Sequence, residues 1–127
     1  MQDKYLYEYS VIRVVPLVER EEFINAGIIV FCKKEKFIAV HFKLNEEKLL
    51  LFCKDADVEQ IKQNLLSFET IAKGNVEGGP IAAMDEASRF RWLTAVRSSV
   101  IQTSRPHPGL CTDLKQTAKR LFEELVL

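Results

Sequence analysis

The chain has 127 residues, of which 47% are apolar and 28% charged, and its 18 Lys plus Arg balance 18 Asp plus Glu. That length points to one domain, residues 1–127, large enough to bury roughly two-thirds of its unfolded surface without disulfides or metals. Zero formal net charge excludes wholesale electrostatic binding to nucleic acid or an anionic membrane, leaves room for a local patch, and carries a solubility cost that fits a chain with a partner.

The opening MQDKYLYEYS lacks an apolar signal segment, and no run approaches the ~20 apolar residues of a spanning helix, so a cytoplasmic protein is expected. Residues 4–15 alternate. Tyr5, Tyr7, Tyr9, Val11, Arg13 and Val15 share one face, and Leu6, Glu8, Ser10, Ile12 and Val14 the other. Aromatic and β-branched content makes this a strand, and Pro16 ends it because it cannot donate to a ladder. Gly27 opens GIIVFC, a continuous apolar run suited to a central strand covered on both faces. KKEK is a short turn, and FIAVHF a third strand, so strands two and three form an antiparallel hairpin. The connection from Pro16 to Ala26 is too short for a parallel crossover. An antiparallel three-stranded meander follows.

From Asn45 the period changes. NEEKLLLFC supplies one or two helical turns. Asp57 with Gln60 resembles a capping box, and Val58, Ile61, Leu65, Phe68 and Ala72 recur at helical spacing up to a C-capping Gly74. GNVEGGPIA, residues 74–82, reads as a flexible connection. Residues 85–95 are expected to be helical, with Asp85 near the start. VRSSVIQT, residues 96–103, is a candidate fourth strand, and SRPHPG a loop. A last helix starts near Thr112 or Asp113 and buries Leu114, Ala118, Leu121, Phe122 and Leu125. Strands first and helices after read as α+β: a three- to four-stranded antiparallel sheet with helices on one face.

Between the first two strands lies VEREEFINAG, able to form about two helical turns or an ordered loop. Glu22 and Asn25, three apart, share a face if it is helical. Asn25 and Gly27 supply turn chemistry, Asn by capping its own backbone and Gly by tolerating positive φ. Arg13, set among Ile12, Val14 and Val15, calls for an anionic partner, with Glu21 or Glu22 nearest. Two readings stand. In one, Arg13 and a glutamate form a buried structural pair whose loss costs on the order of 3–5 kcal/mol. In the other, Arg13 holds an anionic ligand and Glu22 is a general base in a polar pocket at the sheet end.

A second constellation spans residues 89–107, where Arg89, Arg91, Arg97 and Arg105 stand with Trp92, Ser98, Ser99, Thr103, Ser104 and His107. No acidic residue lies between Glu86 and Asp113. Arginines with an aromatic ring and hydroxyls suit a phosphate or other anion, and such sets also grip single-stranded nucleic acid, which zero net charge disfavours. The alternative is a solvated helix face followed by a strand, with Trp92 in the core. Cys32, Cys53 and Cys111 are odd in number, widely spaced and beside apolar residues, so buried free thiols are expected rather than a metal framework. There is no GxSxG elbow, P-loop or GxGxxG. His41 and His107 lie in unrelated local contexts. No catalytic signature and no cofactor are expected.

YEYSVIRVVPLVEREEFINAGIIVFC resembles the N-terminal signature of a bacterial family known as domain of unknown function 3037. RFRWLTAVRSSVIQTS, residues 89–104, and the C-terminal LFEELV resemble it too, so the likeness covers nearly the whole chain. Arg13, Pro16, Glu21, Glu22, Asn25 and Gly27 fall in one motif. The resemblance implies no activity. It implies at most a partner, because similar members are often encoded beside a HipA-type serine/threonine kinase of toxin–antitoxin modules. The expectation is a non-enzymatic accessory or regulatory protein, with Arg13, Glu21, Glu22, Asn25, Arg91, Trp92, Arg97, Ser98 and Arg105 as candidate binding residues. The alternative is a phosphate-binding protein or enzyme built on the same arginines. A homodimer through the open edges of the meander is permitted.

Overall fold

The computed structural model describes residues 4–127; residues 1–3, part of the stretch weighed for a signal segment, lie outside that range. Strand β1 is Tyr5–Val14, β2 is Ile24–Cys32 and β3 is Phe37–Phe42. Helices α1 (Glu46–Phe52), α2 (Val58–Lys73) and α3 (Glu86–Leu93) follow. Two short strands, β4 (Ile101–Thr103) and β5 (His107–Cys111), precede α4 (Leu114–Leu125). The sheet has five strands in the order β3-β2-β1-β4, with β5 also on β1, and every pairing is antiparallel. The α+β class and the β1–β2–β3 meander agree with the sequence.

β2 carries the architecture. Ile28, Val30 and Cys32 pack with Leu114, Ala118 and Leu121 of α4. Ile29 and Phe31 pack with Leu49, Ile61, Leu65, Phe68 and Phe90 of the other three helices. Neighbouring side chains on a strand point to opposite faces, so α4 covers one face and α1–α3 the other. This corrects the one-face expectation, and it is what the uninterrupted apolar run of β2 requires. Phe90, fully buried and stacked 5.0 Å from Phe31, contributes on the order of 2–3 kcal/mol by burial.

A bulge sets the phase of that run. Ile12 faces Gly27 and Arg13 faces Asn25, which leaves Ala26 as the extra residue. One added residue flips side-chain parity. Ile24 and Ala26 therefore join Ile29 and Phe31 in the same core cluster. Gly27 sits inside β2 rather than in a turn, and its reason is close approach: a Cβ there would meet the His41 carbonyl oxygen at 2.5 Å.

The helices are capped as their sequences foretell. Asn45, Asp57, Asp85 and Asp113 each accept from the backbone N–H three residues on, satisfying orphan donors of the first turn. The Asp57 box is one-sided, because the Gln60 side chain donates to Asn64 instead. Gly74 ends α2 with φ +74°. The 74–82 connection holds a turn of 3-10 helix at Val76–Gly78.

SRPHPG is not simply a loop. β4 and β5 lie along the same edge of β1, Thr103 facing Ile12 and His107 facing Tyr9. Between them Ser104 is buried, and its Oγ accepts from the Val11 N–H at 2.9 Å. Pro108 is tolerated opposite Glu8 because an edge strand needs donors on one side only. Of the cysteines, Cys32 is buried, whereas Cys53 and Cys111 are half-buried, and all three are free. No helix among the described residues is long and apolar enough to cross a membrane.

Candidate functional site

Pro16 stops β1, and the chain turns through a short 3-10 helix, Val18–Arg20. Glu21 closes that turn in the left-handed region, at φ 57°. Across from it, the segment after α3 runs without regular structure from Val96, bends at Ser99 and Val100 and enters β4, fixed by the Val15 N–H donating to the Val100 carbonyl at 2.7 Å. The two segments bring Arg13 and Arg97 into one cleft of ≈ 420 Å³, lined also by Val18, Glu21, Phe23, Val96, Ser98 and Gln102. Gln102 is there because it is the β4 partner of Arg13. A second cleft of ≈ 600 Å³, lined by Phe68, Ile71, Trp92 and Leu93, shares Val18, Arg97 and Ser98 with the first. Together they make one groove, polar at one end and apolar at the other.

Both arginines lie over aromatic rings. The Arg13 guanidinium carbon is 4.1 Å from the Phe23 ring centre, and that of Arg97 is 4.4 Å from the Trp92 ring centre. Stacking uses the face of a guanidinium and leaves its N–H edge for a planar acceptor. Arg97 donates once, to the Trp92 carbonyl. Arg13 makes no ion pair among the described residues, and its buried Nε–H has no hydrogen-bond partner. Such an orphan marks a place where a bound group would be welcome. The rim is apolar: Phe23 and Trp92 are about two-fifths exposed, and Val96 is fully so.

The pairing expected for Arg13 is therefore not made. Glu22 instead binds Arg20 at 2.6 Å on the exposed surface. Asn25, cross-strand from Arg13, does not cap its own backbone. Its amide donates to the Leu125 carbonyl at 3.0 Å and ties β2 to the end of α4. Neither residue lines the Arg13 cleft, whereas Glu21 does.

The arginines of α3 have other work. Arg91 forms a two-bond pair with Glu8, at 3.0 and 2.6 Å, anchoring α3 to β1. Arg89 donates to the Ala72 carbonyl at 3.3 Å and the Met84 carbonyl at 2.6 Å, closing the end of α2 where backbone acceptors are left over. Arg105 is exposed. Trp92 is 40% exposed rather than in the core. Ser99 donates to the Ile101 carbonyl. His41 is exposed near Phe122, and His107 near Tyr9.

Val18, Phe23, Val96 and Gln102 were not singled out by sequence. Gln102 was recoverable from a β1–β4 register. An apolar residue left exposed beside a charge has no sequence signal, because helical or strand periodicity assigns it to a core. Among the described residues no cluster of three or more His, Cys, Asp or Glu could hold a metal.

A five-stranded antiparallel sheet with helices on both faces and a half-apolar, arginine-flanked groove defines a small α+β protein. The chain belongs to the family described as protein of unknown function, DUF3037, whose model matches residues 9–126. No curated protein and no solved structure matches it.

Proposed function

We propose that the protein is a non-enzymatic accessory or regulatory partner acting in the cytoplasm, and that it engages another protein through the Arg13–Arg97 groove. The observation that carries this reading is two ring-stacked arginines set within an exposed apolar rim. Exposed aromatic and arginine side chains are the residue types that dominate binding at protein interfaces. Glu21 in the same cleft leaves the two arginines a surplus of a single positive charge. A mixed surface with one carboxylate fits that balance better than a polyanion such as nucleic acid. The family resemblance makes a HipA-like kinase of a toxin–antitoxin module the first partner to test.

The second reading, a small phosphate-bearing ligand, has the orphaned Arg13 Nε–H in its favour. An enzyme using Glu22 as general base has less support, because that carboxylate is held by Arg20 away from the cleft.

Affinity capture from cell extract, with mass spectrometry of bound proteins and small molecules, separates them. A stoichiometric protein partner supports the first reading. A co-purifying phosphorylated metabolite without a protein supports the second. Neither would remove both.

A further inference from the structure

β3 is the open edge of the sheet, on the side opposite β4 and β5. The Lys43 N–H donates to the Ala26 carbonyl at 2.7 Å. Antiparallel ladders alternate inward- and outward-facing residues, so His41, Ala39 and Phe37 also turn their backbone groups toward β2. Ile38, Val40 and Phe42 turn theirs outward. Their N–H and C=O groups have no hydrogen-bond partner outside the ladder among the described residues. An edge of this kind is a template for another strand, and proteins usually blunt it with proline, inward-pointing charge or a covering element. β3, FIAVHF, contains no proline, lysine, arginine or acidic residue.

The edge is also shaped to receive one. It opens into a slot of ≈ 620 Å³ lined by β3 itself, by Glu69, Ala72 and Lys73 of α2, and by Lys115, Ala118 and Lys119 of α4. α2 and α4 flank the slot from the two faces of the sheet, just as they flank β2. The alanines at positions 39, 72 and 118 keep it wide.

We propose that this slot binds an extended acidic segment of a partner protein by strand addition to β3. The incoming backbone pairs with Ile38, Val40 and Phe42, and its alternate side chains face α2 and α4. Charge selects the occupant. Glu69 is paired with Lys73 at 3.7 Å, whereas Lys115 and Lys119 make no ion pair among the described residues. Acidic side chains on the α4 side and apolar ones on the α2 side complete both walls. A second copy of the chain fits poorly. Two-fold pairing of β3 with itself keeps α4 on the same face of both copies, so Lys115 and Lys119 of each would meet their own counterparts. The site is independent of the Arg13–Arg97 groove, which lies at the other end of the sheet.

The test is amide hydrogen exchange by NMR on the full chain, with a blocked seven-residue peptide of alternating glutamate and valine as probe and its lysine–valine counterpart as control. The expected result is that the acidic peptide slows exchange at Ile38, Val40 and Phe42 by about tenfold or more at saturation, while the lysine peptide does not. Lys115→Glu with Lys119→Glu, both on the exposed face of α4, should weaken peptide binding about tenfold without altering the exchange pattern of the core. Val40→Pro removes an outward donor and should abolish protection; the lysine variants decide the matter if it fails to fold. Equal protection by both peptides, or by neither, overturns the proposal. Concentration-dependent protection of these amides without peptide, accompanied by a dimer in sedimentation, overturns it in favour of self-pairing.

Discussion

The arginines of α3 and those of the groove are the same residue type, and Arg97 follows closely after α3 while Arg13 comes from β1, yet they do different things. Arg89 and Arg91 are committed: their guanidinium edges are occupied by two backbone carbonyls and by the Glu8 carboxylate. Arg13 and Arg97 lie on aromatic rings, with at most one donor used between them. The difference teaches that the role of a surface arginine is set by how many of its five N–H donors are already occupied. A basic cluster in a sequence is not a site until its donors have been counted.

The sharpest way to break this contrast is to remove a committed arginine. Arg89→Ala strips two charge-assisted bonds from the end of α2 and the turn before α3, and should cost about 2 kcal/mol in denaturant unfolding, with partner binding by the folded protein unchanged. Arg91→Ala should cost less, about 1 kcal/mol or below, because the Glu8 pair is more than a quarter exposed on one side and half exposed on the other. A cycle with Glu8→Ala checks it, and the coupling should account for most of the loss. Arg13→Ala should cost about 1 kcal/mol, the worth of a half-buried cation–π contact, rather than the several kcal/mol of a broken buried pair. A larger loss would return Arg13 to the scaffold.

The smallest effect belongs to acid. The Asp85 carboxyl is held below its ordinary range chiefly by the Ser88 backbone N–H, then by the Ser88 side chain and the nearby Arg89. A depressed folded-state value means stability that is present above the unfolded pKa and lost as pH falls through the folded one. Unfolding curves between neutral and acid pH should show a slightly shallower acid limb for Asp85→Asn.

Local rules made much of the fold legible. Alternation around Tyr5, Tyr7 and Tyr9 identified β1, and the Asp57 and Gly74 caps bounded α2. The run from Gly27 to Cys32 announced a strand covered on both faces, although assigning all helices to one face ignored that hint. β5 was hidden because Pro106 and Pro108 read as breakers, while only the edge position of the strand decides whether a missing donor matters. The site was less visible. Arg13 and Arg97 both stood out as candidates, but Glu8 lies 83 residues from Arg91, and no local pattern says which arginine an acid so distant will claim. The nearest glutamates misled in the same way, since Glu22 turned to Arg20.

The most direct test is affinity capture from cell extract with the native protein beside Val96→Asp and Arg97→Ala, each first shown to melt within a few degrees of it. Val96 is fully exposed, so its replacement charges the groove rim without disturbing packing. The expected result is one stoichiometric protein partner that is retained by the native chain and lost by both variants. Equal retention of that partner by all three would contradict the assignment of the groove as the recognition surface.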